Sequence, residues 1–448
     1  MKHIIYSLIL QLKGIHFKNK YKEIKKINNV NDLKIFQEKY LKNLLNHVYD
    51  RVPYYRKIFN DIHIINNGSV DLSKFCEIPI LTKKIVNEHL KDLTSTDYNK
   101  RRWEYNFSGG STGEPTRFIQ DTYYNSWVYA TNHFYYRNML EIDDVQCKKI
   151  VLWGSPQELF HGNARIKTKV GAWLSNTVFL NSFKMSESDM EKYLEAINRF
   201  KPDLLRGYAG SLFELCRFAE RKKIRLEHTP RILVSSAETL TSEMRQTIEE
   251  FFGKKIYDFY GSRETASIAG ECRNGLMHVF SMNNIVEVVD QKGFPVGEGQ
   301  DGRVLVTNLH NYSMPFLRYE IGDMAVNGSE QCSCGSNLPT LKKIHGREEE
   351  QFITKEGKIV IGYYFVHLIG VVLNQGFIKK FQVIQEEYER IRILAVLDAG
   401  LPDAERKEIE EKIKVQMGED CQVIWEFVKE IPTLKSGKYL YTRSLVKR

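Results

Sequence analysis

Between Lys148 and Gly261 the chain alternates two hydrophobic periods, and that alternation constrains the fold more than any other feature. "KKIVLWG" (148–154) and "RILVSS" (231–236) are short apolar runs and read as strands. "SDMEKYLEAINRF" (188–200) and "SEMRQTIEEFFG" (242–253) space their apolar residues three and four apart and read as helices, the first with a Ser/Asp start, the second ending at Gly253. "KKIYDFYG" (254–261) is the next strand. Strands that alternate with helices pair through crossovers, so an α/β sheet is predicted, with ligands outside the carboxyl ends of its strands.

The flanks differ. Residues up to about 100 predict mostly helix, as in "NDLKIFQEKYLKNLLNHVYDRV" (31–52), which has one apolar face. From Ile285, "NNIVEVVD", "GRVLVTNL" and "DMAVNG" are short strands between Gly and Asn turns and predict a small antiparallel β unit. After "HGREEEQF" come two strands in "FQVIQEEYERIRILAVLD", a helix in "DAERKEIEEKIKVQM" and a strand in "CQVIWEFVKEI". The expected protein is α/β: a large N-terminal domain (1–347) of mixed sheet flanked by helices plus the small antiparallel β unit, then a small α+β C-terminal domain (348–448).

With 448 residues, 42% hydrophobic and 27% charged, the chain can bury a large core. Its net charge of +9 is interspersed with acids and carries no aromatic-basic RNA motif, which argues against a nucleic-acid partner. The N-terminal stretch "MKHIIYSLILQLKGIHFKNKYKEIKK" has Ile4, Ile5, Leu8, Ile9, Leu12 and Ile15 at helical spacing and is too short to span a bilayer. It suits either a helix packed on the domain or an interfacial helix whose basic flank touches anionic lipid. Without a convincing secretory signal, the expected location is the cytoplasm, with peripheral membrane contact through this helix as the second possibility.

Five segments suggest chemistry. In "FSGGSTGEPTRF", Ser108, Gly109, Gly110, Ser111, Thr112 and Gly113 form a loop whose backbone N–H groups and hydroxyls suit an anion. It lacks the Gly-Lys-Ser/Thr ending of a P-loop NTPase. In "FYGSRETA", Tyr260 and Gly261 end a strand, Tyr260 could stack on a flat ring, and Glu264 is a hard oxygen ligand suited to Mg²⁺. Asp323 in "LRYEIGDMA" could accept hydrogen bonds from a ribose diol, Arg347 in "IHGREEEQF" lies at the domain junction, and Lys438 in "IPTLKSGKYLYTRS" follows Gly437 on a loop. Read singly, these are also an ordinary turn, a surface Arg-Glu pair, a turn aspartate, a charged linker and a solvated lysine.

In this order, from about Trp103 to the C-terminus, the segments resemble the adenylate-forming superfamily of acyl-CoA synthetases, nonribosomal peptide adenylation domains and luciferases. "SGGSTGEPT" resembles its phosphate loop and "SSAET" its adenine-contacting segment, which implies roles for Ser236, Ala237 and Glu238. "YGSRE", including Ser262, resembles its tyrosine–glutamate motif, "RYEIGD" its ribose aspartate motif, "HGREEE" its hinge and "PTLKSGK" its catalytic-lysine loop. Within the superfamily, "YGSRE", "SSAE" and "CSCG" are most similar to phenylacetate–CoA ligases and the ligases of capsular-polysaccharide clusters. Three positions depart: Thr116 stands where many relatives have lysine, Arg263 where many have threonine, and Glu350 where aspartate is usual.

The resemblance implies that ATP, Mg²⁺ and a carboxylic acid yield an acyl-adenylate and pyrophosphate. Glu264 would hold the metal and Lys438 would neutralise charge at the α-phosphate. The small domain then rotates about its hinge to admit an acceptor, either an amine or hydroxyl of a polysaccharide sugar or coenzyme A. A ligase fold without activity, serving as a binding protein, is the third alternative. Trp153, Phe134, Tyr135, Tyr208 and Tyr260 are candidates to line the acid site, which suggests an aryl or small acyl group.

Seven cysteines remain to be explained. Cys76, Cys147, Cys216 and Cys421 are scattered, whereas Cys272, Cys332 and Cys334, with His278, make a complete tetrahedral set for structural Zn²⁺. Free cysteines in a reducing compartment are the alternative.

Overall fold

The computed structural model describes residues 2–66, 68–108, 116–153, 170–182, 185–329, 332–347, 351–362, 364–365, 368–369, 377–397, 400–431 and 440–446. Helices open the chain: α1 (Lys2–Leu12), α2 (Phe17–Ile24), α3 (Val30–Arg51), α4 (Pro53–Ile62), α5 (Lys83–Glu88) and α6 (Leu90–Leu93). Asn29 caps α3 by accepting from Asp32 N, and α3 buries Leu33, Tyr40, Leu41, Leu44, Leu45 and Val48, a single helical face. In α1 the buried residues are Ser7 and Leu10, while Ile4, Ile5, Leu8 and Leu12 face solvent.

A short hairpin, β1 (Ile65–Asn66) and β2 (Ser69–Val70), interrupts the helices, and a second, β3 (Trp103–Phe107) and β4 (Arg117–Asp121), leads into α7 (Thr122–Phe134). The parallel part of the main sheet follows: β5 (Lys149–Trp153), β6 (Thr177–Asn181), β7 (Leu204–Tyr208), β8 (Ile232–Ser236) and β9 (Ile256–Ser262), in spatial order β6-β5-β7-β8-β9. The crossover helices Glu187–Phe200, Ala209–Arg221 and Ser242–Phe252 connect β6 to β7, β7 to β8 and β8 to β9. β8 is buried at all five positions, as a central parallel strand covered on both faces requires.

At β9 the sheet changes direction. β10 (Ala266–Glu271) returns antiparallel to β9, and β11 (Met277–Val279) pairs antiparallel with β10 and with β15 (Thr340–Arg347). β12 (Asn284–Val289), β13 (Asp301–Asn308) and β14 (Tyr319–Asn327) form the antiparallel wing expected from the sequence. That wing is not a separate layer: β14 neighbours β15, so all of these strands belong to one eleven-stranded mixed sheet.

The chain divides into two compact units, Met1–Leu240 with Met244–Ile344, and Thr241–Glu243 with His345–Arg448. In the second, the hairpin β16 (Gln351–Ile353) and β17 (Ile359–Ile361) accompanies a four-stranded sheet of β18 (Ile378–Glu387), β19 (Arg390–Leu397), β20 (Gln422–Phe427) and β21 (Thr442–Ser444). Ile409, Ile413 and Met417 of the helix Asp403–Met417 join Val383, Ile391 and Ile393 in its core. No helix among the described residues is long and apolar enough to cross a membrane.

Candidate active site and metal centre

The glycine-rich loop grows from a closed neck. β3 and β4 pair in register up to Phe107 and Arg117; Ser108 N then donates to Thr116 O, and Thr116 N donates to Ser108 Oγ, both at 2.8 Å. Ser108 is therefore buried at the neck, and its hydroxyl oxygen is an acceptor there. Gly109, Gly110, Ser111, Thr112 and Gly113 lie outside the described residues. Thr116 is fully buried and its hydroxyl has no hydrogen-bond partner among the described residues. The departure from lysine at this position is thus an interior one, where a long cation would have no room.

Gln120, which sequence reasoning missed, ties this hairpin to the glutamate turn. Its Nε2 donates to Arg263 O (2.8 Å), to Tyr124 Oη (3.0 Å) and, more weakly, to Glu264 O (3.3 Å). Arg263 reaches back to Phe107 O at 3.4 Å, so the second departure from the family pattern serves the same junction.

The β9–β10 turn is tight by construction. A Cβ on Gly261 would lie 2.4 Å from Ala266 O, which only glycine avoids. Ser262 Oγ accepts from Thr265 N (3.1 Å), which leaves half-buried Glu264 at the tip, 3.5 Å from the Tyr319 hydroxyl. Tyr260 donates its hydroxyl to Asp323 Oδ2 at 2.7 Å. Asp323 stands in a bulge: Ile321, Gly322 and Asp323 oppose the single Val304, and Gly322 takes φ +82. At the end of β8, Ser236 Oγ donates to Phe259 O (3.0 Å), Ala237 adopts φ +69, and Glu238 Oε2 accepts from Gly210 N (2.9 Å) at the start of the helix Ala209–Arg221.

Ser236–Glu238, Tyr260–Glu264 and Asp323 thus gather at the carboxyl ends of β8 and β9 and on the bulge beside them. Of the aromatic candidates, Trp153 and Tyr208 meet at the ends of β5 and β7, with ring centroids 4.4 Å apart. Tyr135 is different: it is fully buried, packs on Phe259 and Phe280 and donates its hydroxyl to Glu271 O, so it is core and not a wall of the acid site. Phe134 packs against the same core. Arg206, also missed from the sequence, enters this region from β7. Arg347 ends β15, and Lys438 and Glu350 lie outside the described residues. A groove of about 580 Å³ lined by Arg245, Glu249, Lys254, Lys255 and Glu271 sits at the opposite, amino end of β9, where Arg245 and Glu271 already pair at 2.7 Å.

The donor atoms of Cys272, His278, Cys332 and Cys334 all lie within 4.8 Å of one another. Strand pairing explains the meeting. β10 pairs Gly270 with His278 of β11, β11 pairs His278 with Thr340 of β15, and the "CSCG" turn leads into β15. Cys272 Sγ is 3.9 Å from Cys332 Sγ, and Cys334 Sγ is 3.3 Å from His278 Nε2. A tetrahedron with bonds near 2.3 Å has edges of about 3.8 Å, so the spacing fits one small ion. His278 Nδ1 lies 2.9 Å from Leu338 O, a bond that assigns the proton to Nδ1 and leaves Nε2 as the ligand atom. Burial lowers the pKa of His278 and favours the neutral imidazole that a metal needs. The N–H groups of Cys334 (3.5 Å) and Ser336 (3.4 Å) point at the sulfurs of Cys332 and Cys334.

Residues 352–444 match the CapK C-terminal domain family. The chain is 23% identical to protein CapK of Staphylococcus aureus, over 99% of this chain and 98% of that protein. It is 26% identical to a phenylacetate–coenzyme A ligase of Thermus thermophilus, over 72% of each. Its fold is similar to that of 2-hydroxyisobutyryl-CoA ligase in complex with an acyl-AMP (TM-score 0.70, 16% identity, covering 94% of this chain and 91% of that one). The chain belongs to the adenylate-forming superfamily. An amide bond synthetase from Marinactinospora thermotolerans shares the superfamily fold at a TM-score of 0.51 and 16% identity, over 74% of this chain and 66% of that one.

Proposed function

We propose that this adenylate-forming enzyme activates a carboxylic acid with ATP, releases pyrophosphate and passes the acyl group to an amine or hydroxyl of a surface-polysaccharide precursor. The observation that carries the first half is the convergence of Ser236–Glu238, Tyr260, Glu264 and Asp323 at the carboxyl ends of β8 and β9 and on the β14 bulge, with Tyr260 bonded to Asp323. In this reading the Tyr260 ring stacks on adenine and Asp323 accepts from the ribose hydroxyls. The loop 108–113 holds the distal phosphates through Ser111, Thr112 and backbone N–H groups, while Ser108 keeps its neck closed. Glu264 is a half-buried carboxylate that suits Mg²⁺, which when bound screens the charge of the phosphates. Residues 1–347 bind ATP and acid; residues 348–448 turn about Arg347 and bring Lys438 to the α-phosphate. Zn²⁺ held by Cys272, His278, Cys332 and Cys334 clips β10, β11 and the "CSCG" turn together and leaves no open position for catalysis.

The likeness to CapK runs over nearly the whole chain, against 72% for the phenylacetate–CoA ligase; the sugar acceptor itself is proposed from the resemblance of "YGSRE", "SSAE" and "CSCG" to the ligases of capsular-polysaccharide clusters. Coenzyme A is the second reading, favoured by those same ligases. Pyrophosphate release measured with a panel of acids, with and without CoA, separates them: release followed by thioester formation supports CoA, and no thioester with any acid supports the sugar. An inactive binding protein would release none.

Peripheral membrane contact through α1 belongs to the same proposal. Its apolar side, Ile4, Ile5, Leu8 and Leu12, is turned outward beside Trp173, which is 58% exposed and stacked under Lys2. Residues 2–26 hold seven lysines and one acid, Glu23, which suits an anionic surface. The full chain should float with anionic vesicles and lose this on deletion of residues 2–12; equal flotation of both forms would sink the idea.

A further inference from the structure

Arg206 is a cation that the proposed reaction leaves without a task. On β7 it lies opposite Val151 of β5 and Val234 of β8, in the middle of the parallel strands, on the face shared with Tyr208. Its side chain is half-buried and reaches toward the strand ends, where Nη2 donates to Ser236 Oγ (3.2 Å) and Nη1 makes a long bond to Tyr136 Oη (3.4 Å). The guanidinium carbon stands 4.6 Å from the centre of the Phe259 ring and 5.5 Å from that of Trp153. Nε is buried and has no partner among the described residues. Among the described residues no carboxylate pairs with Arg206, in contrast to Arg245 with Glu271 and Arg318 with Glu287.

A half-buried guanidinium held among hydroxyls and ring faces has given up part of its hydration, and among the described residues it gains no counter-charge for it. Its location is where open α/β sheets bind ligands, and its planar fork matches a carboxylate. Trp153 and Tyr208 supply an apolar wall beside it. We infer that Arg206 receives a second anionic group of the acid substrate, so that the acid activated here is a dicarboxylic acid. One carboxylate reacts and the other pairs with Arg206, while the carbon chain lies against Trp153 and Tyr208. This rests on the ligase reading and adds the substrate class.

The test compares dicarboxylic acids with their half-amides, which keep the shape and lose one charge, in pyrophosphate release by the full chain. The wild type should prefer the diacid in kcat/KM by about 10- to 150-fold, the range of one lost charge-assisted hydrogen bond. Arg206→Met should erase that preference by raising the diacid KM far more than the half-amide KM. Arg206→Lys should retain part of it, and serves if the methionine variant does not fold. No preference in the wild type, an equal loss for diacid and half-amide, or a rise confined to the ATP KM would overturn the inference and leave the ligase reading intact. Release with no acid at all would overturn both.

Discussion

Replacing Tyr260 with phenylalanine deletes one hydroxyl and keeps the ring. In the structure that hydroxyl donates to Asp323 Oδ2 at 2.7 Å. Asp323 sits in a bulge beside Gly322, off the regular β13–β14 ladder, so its direction depends on side-chain contacts of this kind. A hydrogen bond to a charged acceptor contributes about 1.5–3 kcal/mol. If Asp323 binds the ribose, losing its aim should raise the ATP KM by up to about 10- to 150-fold, at 1.4 kcal/mol per tenfold. If the Tyr260 ring covers adenine, phenylalanine still does so and the reacting atoms are untouched, so kcat should change little. The assay is pyrophosphate release at saturating acid with ATP varied, for Tyr260→Phe, Asp323→Asn and the double variant. The two losses should be strongly non-additive, because they report one bond. An unchanged ATP KM in Tyr260→Phe, or simple additivity, would refute the coupling.

Three further outcomes are expected. Purified protein should carry about one zinc per chain, and Cys334→Ser should lower both the zinc content and the thermal midpoint; full stability in metal-free protein would remove the zinc assignment. Arg318→Met should destabilise the large unit by about 3–5 kcal/mol, because Arg318 Nε bridges both Glu287 oxygens at 3.2 Å and Nη1 donates to Ile78 O in the interior. Adding Glu287→Leu should restore much of that in urea unfolding, and a loss below about 1 kcal/mol in the single variant contradicts the argument. Burial pushes the Asp258 carboxyl up from 3.8 to about 6, against the bond from Ser235. The folded state therefore holds the extra proton between those values, and stability falls as pH rises through that window, by about 3 kcal/mol at 1.36 kcal/mol per unit. Asp258→Asn keeps an acceptor for Ser235 and should be more stable than wild type at pH 7.5, the gap shrinking toward pH 5; a gap independent of pH would show the carboxyl does not titrate there.

What could be read from the chain was local. "RILVSS" and "KKIYDFYG" carry their strand period openly, and the "CSCG" turn with Cys272 and His278 announces its donor chemistry by residue type. The pairing of β11 with β15, which closes that cluster, is long-range and leaves no trace in spacing, whereas β10 and β11 form a local hairpin. Gln120 was invisible for the same reason, since its partners Arg263 and Glu264 are more than a hundred residues away. Tyr135 was misread because an aromatic residue looks alike in sequence whether it lines a site or fills a core; only its burial and its bond to Glu271 O separate the two. In α1 the apolar period was evident, but not that Ser7 and Leu10 would face inward and Leu8 and Leu12 outward.

The central claim is adenylation, and exchange of labelled pyrophosphate into ATP by the full chain tests it most directly, with no acceptor present. Exchange that requires both an acid and Mg²⁺, and that disappears in Lys438→Ala while the variant still binds ATP, is the predicted result. No acid-dependent exchange across a panel that includes aryl acids, short acids and dicarboxylates would contradict it.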